Sequence, residues 1–301
     1  MPQDCALCKR PFEPKEQSHI VSAFVYRWLK STSVTGFMRF GRSMNVRAQD
    51  GIKDYFLCDA CEDRLSSWES VFATEIFYPF VENDSVCVDY GEDILKFAVS
   101  ASWRVLAYGK QKDRLKHFRG RHERALSSAL ETWRSYLLGT TDDIGRHEIH
   151  LLPFSGVVDY SGDYIPPNFN RYLRRAVEID TVVSDDEAVT YCKLGPLILI
   201  GLIQYPDPNH WENTKIQKSG RLGPCKTSCP AQYQHYMFKR SARMQELQEG
   251  LSQKQLDVIK QSYERNLAKL ETSETIRATI ADLELRFRRG EFDSEGNEKC
   301  N

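Results

Sequence analysis

Apolar and polar positions follow two different rhythms along this chain. Over 93–108 (DILKFAVSASWRVLAY) apolar residues recur at helical spacing with few charges between them, which predicts a buried helix. The segment 115–138 carries a second, more amphipathic helical pattern. From 148 to 205 the rhythm changes. IHLLPF, AVEIDTVV, AVTYCKL and LILIGLIQY are β-branched and aromatic runs separated by Gly, Pro, Asn and Asp, and they predict strands. Residues 206–233 are rich in Pro, Gly, Asn and Ser and predict a loop. Ser252 and Gln255 have capping-box spacing and open a helix with Leu256, Ile259, Tyr263 and Leu270 on one face. Ser273 caps a last helix running to Arg288, and the polar tail 290–301 is expected to fray.

The longest apolar run, 194–203, is interrupted by Gly195, Pro196 and Gly201 and is short of the roughly 20 residues that span a bilayer. It predicts a buried strand and no membrane partner. The opening MPQDCALC has no basic-then-apolar export pattern, so the expected compartment is the cytosol, where thiols stay reduced. Nine cysteines in that setting point to metal ligands before disulfides.

At 301 residues, with 41% hydrophobic and 28% charged positions, the chain has material for about two domains and is neither disordered nor collagen-like. The net charge of −1 selects no partner. It hides an asymmetry: 75–93 holds six acids and no base, whereas 104–124 holds eight Lys/Arg against two acids.

The strongest chemical signal is two CxxC pairs, Cys5/Cys8 and Cys58/Cys61. Zinc takes four thiolate or imidazole ligands in a tetrahedron, and two intervening residues let both sulfurs of a pair reach one ion. The reading is a four-cysteine structural zinc site. Cys225 and Cys229, with His210 and His235 nearby in sequence, are read as loop thiols ahead of a second metal site. Cys87, Cys192 and Cys300 carry no signature.

Between the pairs lies Ser18-His19-Ile20-Val21-Ser22. A CxxC pair, a His followed by two apolar β-branched residues, and a second CxxC opening a helix resemble the HNH, or ββα-metal, nuclease family over about 70 residues. The resemblance implies a treble-clef-like zinc module with His19 as general base and Glu62 in the place of a catalytic metal ligand. It also implies Mg²⁺ or Mn²⁺ as catalytic cofactor beside the structural Zn²⁺. A base titrating near neutrality and a hard cation suit phosphodiester hydrolysis. Ser18 stands where the family carries an acidic ligand. The middle Asn has no clear equivalent, with Asp54 and Asn45 the nearest polar residues. If a helix starts near Asp59, Glu62 and Glu69 share one face and either could serve the metal; the competing reading is a pair of solvated carboxylates. For His19 the competing reading is a capping or core histidine. Across the whole chain, SHIVSAFVYRWL, QDG, LCDACE, SASWR and KLGPLILIGLI look like a bacterial family labelled HNH-endonuclease-like.

Two basic sets are candidates for phosphate contact: Arg39, Arg42 and Arg47 inside the zinc module, and Lys112, Arg114, Lys116, Arg119 and Arg121 in the longer run. The competing reading of the longer run is a face that pairs with the acidic segment 75–93. Arg171, Arg174 and Arg175 follow a Pro/Asn/aromatic stretch read as a loop packed on the sheet, and Trp211 is read as a loop anchor. No phosphate-binding Gly-rich loop or G-x-S-x-G elbow is present.

The expectation is an α+β chain with an HNH-like zinc module over 1–75. An α+β domain over 76–301 follows, with helices in 93–138, a mostly antiparallel sheet in 147–205 and C-terminal helices in 252–289. The function expected from the resemblance is a metal-dependent endonuclease acting on nucleic acid, DNA first, as a phage-defence effector regulated by a protein partner or ligand. The alternative is a non-catalytic zinc-module protein that binds nucleic acid or protein.

Overall fold

The computed structural model describes residues 2–83, 86–116, 118–160, 162, 164–223 and 227–292. Cys225, Cys300, His117 in the basic run, and the tail beyond 292 lie outside the described residues. In chain order the first elements are β1 (Gln3–Asp4), β2 (Pro11–Phe12), β3 (Ser18–His19), α1 (Ala23–Ser31), β4 (Met38–Arg39), β5 (Arg47–Ala48), β6 (Lys53–Asp54), α2 (Asp59–Phe72) and α3 (Tyr78–Glu82). Then come β7 (Val88–Tyr90), α4 (Glu92–Gln111), α5 (Arg121–Leu138), β8 (Ile149–Pro153), α6 (Phe169–Arg175), β9 (Val177–Val183), β10 (Ala188–Leu194) and β11 (Leu197–Gln204). The chain continues through β12 (Gly220–Leu222), α7 (Ala231–Glu249), α8 (Gln253–Arg265) and α9 (Glu274–Arg288). The architecture is α+β. Among the described residues no helix is long and apolar enough to cross a membrane.

The chain folds into two compact units, each discontinuous in sequence. The first comprises Met1–Phe24, Gly51–Pro153 and Val177–Cys229. Its centre is an antiparallel sheet in the order β8-β11-β10-β9. α4 packs on β10 and β11, α5 on β11, and α2 on α4. A helix apolar on every side must be covered on every side, and α4 is buried from Phe97 through Gly109. Gly201 on β11 makes the close approach to the sheet possible. A Cβ there would stand 2.6 Å from Thr190 Oγ1 and 2.9 Å from the Trp133 ring. The aromatic cluster Phe24, Phe72, Phe77 and Phe97 fills the space beside α2, with Phe72 stacked on Phe97 at 4.0 Å.

The second unit comprises Val25–Asp50, Phe154–Ala176 and Pro230–Asn301. Here α6 packs on α7 and α9. Asn168 and Ser241 exchange buried hydrogen bonds at 3.0 and 2.9 Å, and Phe169 meets Phe238 edge-on at 4.8 Å.

Several expectations are corrected. α5 begins at Arg121 and not near 115, because Asp113 (φ +57°) and Gly120 (φ +63°) take left-handed backbone that a helix cannot continue through. The segment 206–233 holds β12, which pairs with β7, and ends in the first turn of α7. Ser252 precedes α8, but its side chain makes no cap; its N–H donates to Asn45 Oδ1 at 2.8 Å instead. No residue of α8 is buried, and Leu270 lies beyond its end. Arg171, Arg174 and Arg175 sit on α6 and not in a loop on the sheet. Arg174 pairs with Glu274 at 2.8 Å, and Arg175 lies over the Trp28 ring at 4.7 Å. Ser273 caps α9 as expected, accepting the N–H of Ile276.

Candidate metal centre

Two different local structures deliver the four cysteines. The first is the turn joining β1 to β2. Cys5 N–H donates to Arg10 O and Lys9 N–H to Cys5 O, both at 2.9 Å, while Lys9 adopts φ +62°. That tight reversal turns Cys5 and Cys8 to one side. The second is the start of α2, where Cys58 is the N-cap and Cys61 lies in the first turn. The two are stitched by Ala6 N–H to Phe56 O at 2.9 Å and by Cys58 N–H to Cys5 Sγ at 3.4 Å.

All four sulfurs lie within 4.8 Å of one another, and Cys8 Sγ is 3.8 Å from Cys58 Sγ. A tetrahedron with Zn–S bonds of about 2.3 Å has edges of about 3.8 Å. Cys5 and Cys61 are buried and the other two half-buried. The neighbouring Cys61 thiol holds the Cys5 thiol well below the usual range, while the same contact pushes Cys61 up. Burial pushes Cys58 up. Four thiols so close cannot all ionise unless a cation lies among them, and a dication resolves the conflict. The cluster is a structural zinc site: four protein ligands fill the tetrahedron and leave no open position for a reacting molecule.

The candidate catalytic residues are arranged differently. β3 pairs with β6, with Ser18 opposite Asp54 and His19 opposite Lys53. Successive side chains leave a strand on opposite faces, so His19 and Asp54 project from opposite faces of this ribbon. Ser18 is buried and His19 half-buried. Asp54 is ion-paired to Lys112 at 2.5 Å. Glu62 follows Cys61 in the first turn of α2, and its Oε2 is buried without a hydrogen-bond partner. Glu69 is not a freely solvated carboxylate: it binds the guanidinium of Arg104, which is 1% exposed. Among the described residues the four cysteines are the group of three or more potential ligands whose donor atoms converge. His19, Asp54, Glu62 and Glu69 do not join such a group.

The basic candidates divide. In the longer run, Lys112 is held by Asp54, Lys116 by Asp113 at 2.8 Å, and Arg121 by Asp186 at 3.0 Å. Arg119 donates to the carbonyls of Lys116 and Phe118, and Arg114 lies over the Tyr108 ring at 5.1 Å. The run is thus partly neutralised, and among the described residues its ion-pair partners are Asp54, Asp113 and Asp186 rather than acids of the segment 75–93. Lys112 could not be assigned to Asp54 from sequence, because nothing local links residues so far apart. Arg39, Arg42 and Arg47 belong to the second unit, on and beside the β4–β5 hairpin, and have no carboxylate partner among the described residues.

No family model, no curated protein and no solved structure matches the chain.

Proposed function

We propose that this chain is a zinc-scaffolded nucleic-acid-binding protein in which the metal module organises structure and performs no cleavage. The observation that carries this reading is the contrast within one module: four cysteine sulfurs converge, whereas His19, Asp54 and Glu62 do not. The β1–β2 knuckle followed by a knuckle at the α2 N-terminus supports a treble-clef-like scaffold. Nucleic acid as partner is supported by the arginines that carry no acidic counter-charge.

One observation favours the HNH cleavage reading. Glu62 buries a carboxylate oxygen with no hydrogen-bond partner, immediately after the second knuckle, and an orphaned carboxylate suits a hard cation.

Supercoiled plasmid separates the two. Full-length protein with its zinc content verified is incubated with plasmid and Mg²⁺ or Mn²⁺, beside a His19→Ala variant of equal zinc content. Gel retardation without nicking by either protein is the expected result. Nicking by the wild type that the variant loses would replace the binding reading with the nuclease one. Neither retardation nor nicking would remove nucleic acid as the partner.

A further inference from the structure

On the β4–β5 hairpin, Arg39 stands directly opposite Arg47. Like charges facing each other across a ladder are destabilising unless something offsets them. Several other arginines of the same unit do have a carboxylate as offset: Arg171 has Asp282, Arg174 and Arg277 have Glu274, and Arg286 and Arg289 have Glu291. On the hairpin there is none among the described residues. Both guanidinium groups lie over the Phe37 ring, at 5.1 and 5.4 Å, and Arg42 lies over Phe40 at 5.5 Å.

Arg39 is also held in place. It donates to Met44 O at 2.7 Å and to Gln255 Oε1 at 2.8 Å. Asn45 fastens the turn to the start of α8, accepting from Ser252 N–H. Arg42 and Arg47 are exposed, and Val46 beside them is 62% exposed. The hairpin therefore presents Arg42 and Arg47, stacked with Arg39 on two half-buried aromatic rings, and no carboxylate among the described residues offsets their charge.

We infer that this hairpin is the surface that grips the phosphate backbone of a nucleic acid, with Arg42 and Arg47 contacting phosphates and Arg39 fixed beside them as the positioning residue. The inference rests on the binding reading above. Arginine matches phosphate geometry with two parallel N–H donors, and a guanidinium plane backed by an aromatic ring is a flat surface on which a base can stack. A partner with carboxylates alone would not use the rings, so nucleic acid is favoured over an acidic protein.

The test is fluorescence anisotropy with zinc-loaded full-length protein and labelled duplex DNA, single-stranded DNA and single-stranded RNA across a salt series. The variants are R42E/R47E and R42K/R47K. Both side chains are exposed, so neither variant is expected to shift the melting temperature. Expected is a loss of about tenfold or more in affinity for R42E/R47E, with the slope of log K against log salt shallower by about 2. R42K/R47K should keep the slope and lose part of the affinity. An R42E/R47E protein that binds with wild-type affinity and slope would overturn the hairpin assignment and leave the binding reading standing. A wild type that binds none of the three probes would overturn both. Equal or tighter binding of poly-glutamate would transfer the surface to an acidic protein partner.

Discussion

Asp282 caps a helix to which it does not belong. Its Oδ1 accepts the N–H of Asn170 at 2.6 Å, and its Oδ2 accepts that of Arg171 at 3.1 Å. These are N–H groups of the first turn of α6, which makes no side-chain cap of its own. Asp282→Ala removes both acceptors and should cost about 1–3 kcal/mol. Hydrogen exchange at the Asn170 and Arg171 amides reads the loss directly; unchanged protection would refute the cap. Burial raises the Asp282 carboxyl to about 6, above its ordinary value of 3.8. The folded state therefore holds its proton more tightly. The stability this contributes is complete below pH ~4 and is lost as pH rises through about 6.

His150 in the other unit works in the opposite sense. It is 1% exposed, hydrogen-bonded through Nδ1 to Thr214 Oγ1 at 2.9 Å, and lies 4.9 Å from the Trp211 ring. Burial lowers it to about 4, below the ordinary 6.5. Its contribution is present above pH ~6.5 and lost as pH falls through about 4, a change on the order of 3 kcal/mol. Urea unfolding at pH 7.5 and 5, followed at β8 amides by hydrogen exchange, should show the decline, and His150→Gln should flatten it. An identical pH profile in the variant would show that His150 is not its source.

Zinc removal should open the first unit at its N-terminus. A structural zinc site contributes on the order of 10 kcal/mol in small domains, and without the ion the β1–β2 turn and the start of α2 share few other contacts. Chelation, or Cys58→Ser, should lower zinc content from one per chain. It should also expose 1–24 and 51–61 to protease, while α4 and the four-stranded sheet keep their far-ultraviolet signature. A melting temperature unmoved after full zinc loss would mean the four sulfurs do not hold a folding metal.

What the sequence reveals tracks how local each determinant is. The two CxxC pairs are legible because each knuckle is three residues of spacing, and α4 because its apolar positions cover every face. α7 was missed: its buried residues, Tyr233, Met237, Phe238 and Ser241, recur at helical intervals, but polar residues dominate the rest. α6 is seven residues long, and its cap comes from Asp282, far along the chain, so no local signal marks its start. The basic run shows the same limit in charge. Its composition is plain, yet whether a side chain is available depends on Asp54 and Asp186, which only the fold brings near. Of the candidate site, the zinc ligands were readable to the residue. The relation of His19 to Asp54 was not, since it depends on which face of a ribbon each residue takes.

Cys8 and Cys58 are 50 residues apart, and the chain between them leaves the zinc-bearing unit at Val25 and returns at Gly51. An ion that holds both ends shut acts like a staple across a long loop. Removing it frees about 4 kcal/mol of loop-closure entropy by the scaling used for cross-links. That entropy belongs to a loop carrying the hairpin arginines, so the cross-link closes over a segment that the chain lends to its second unit. Only the first unit supplies ligands to the ion, yet the loop that the ion closes runs through the second.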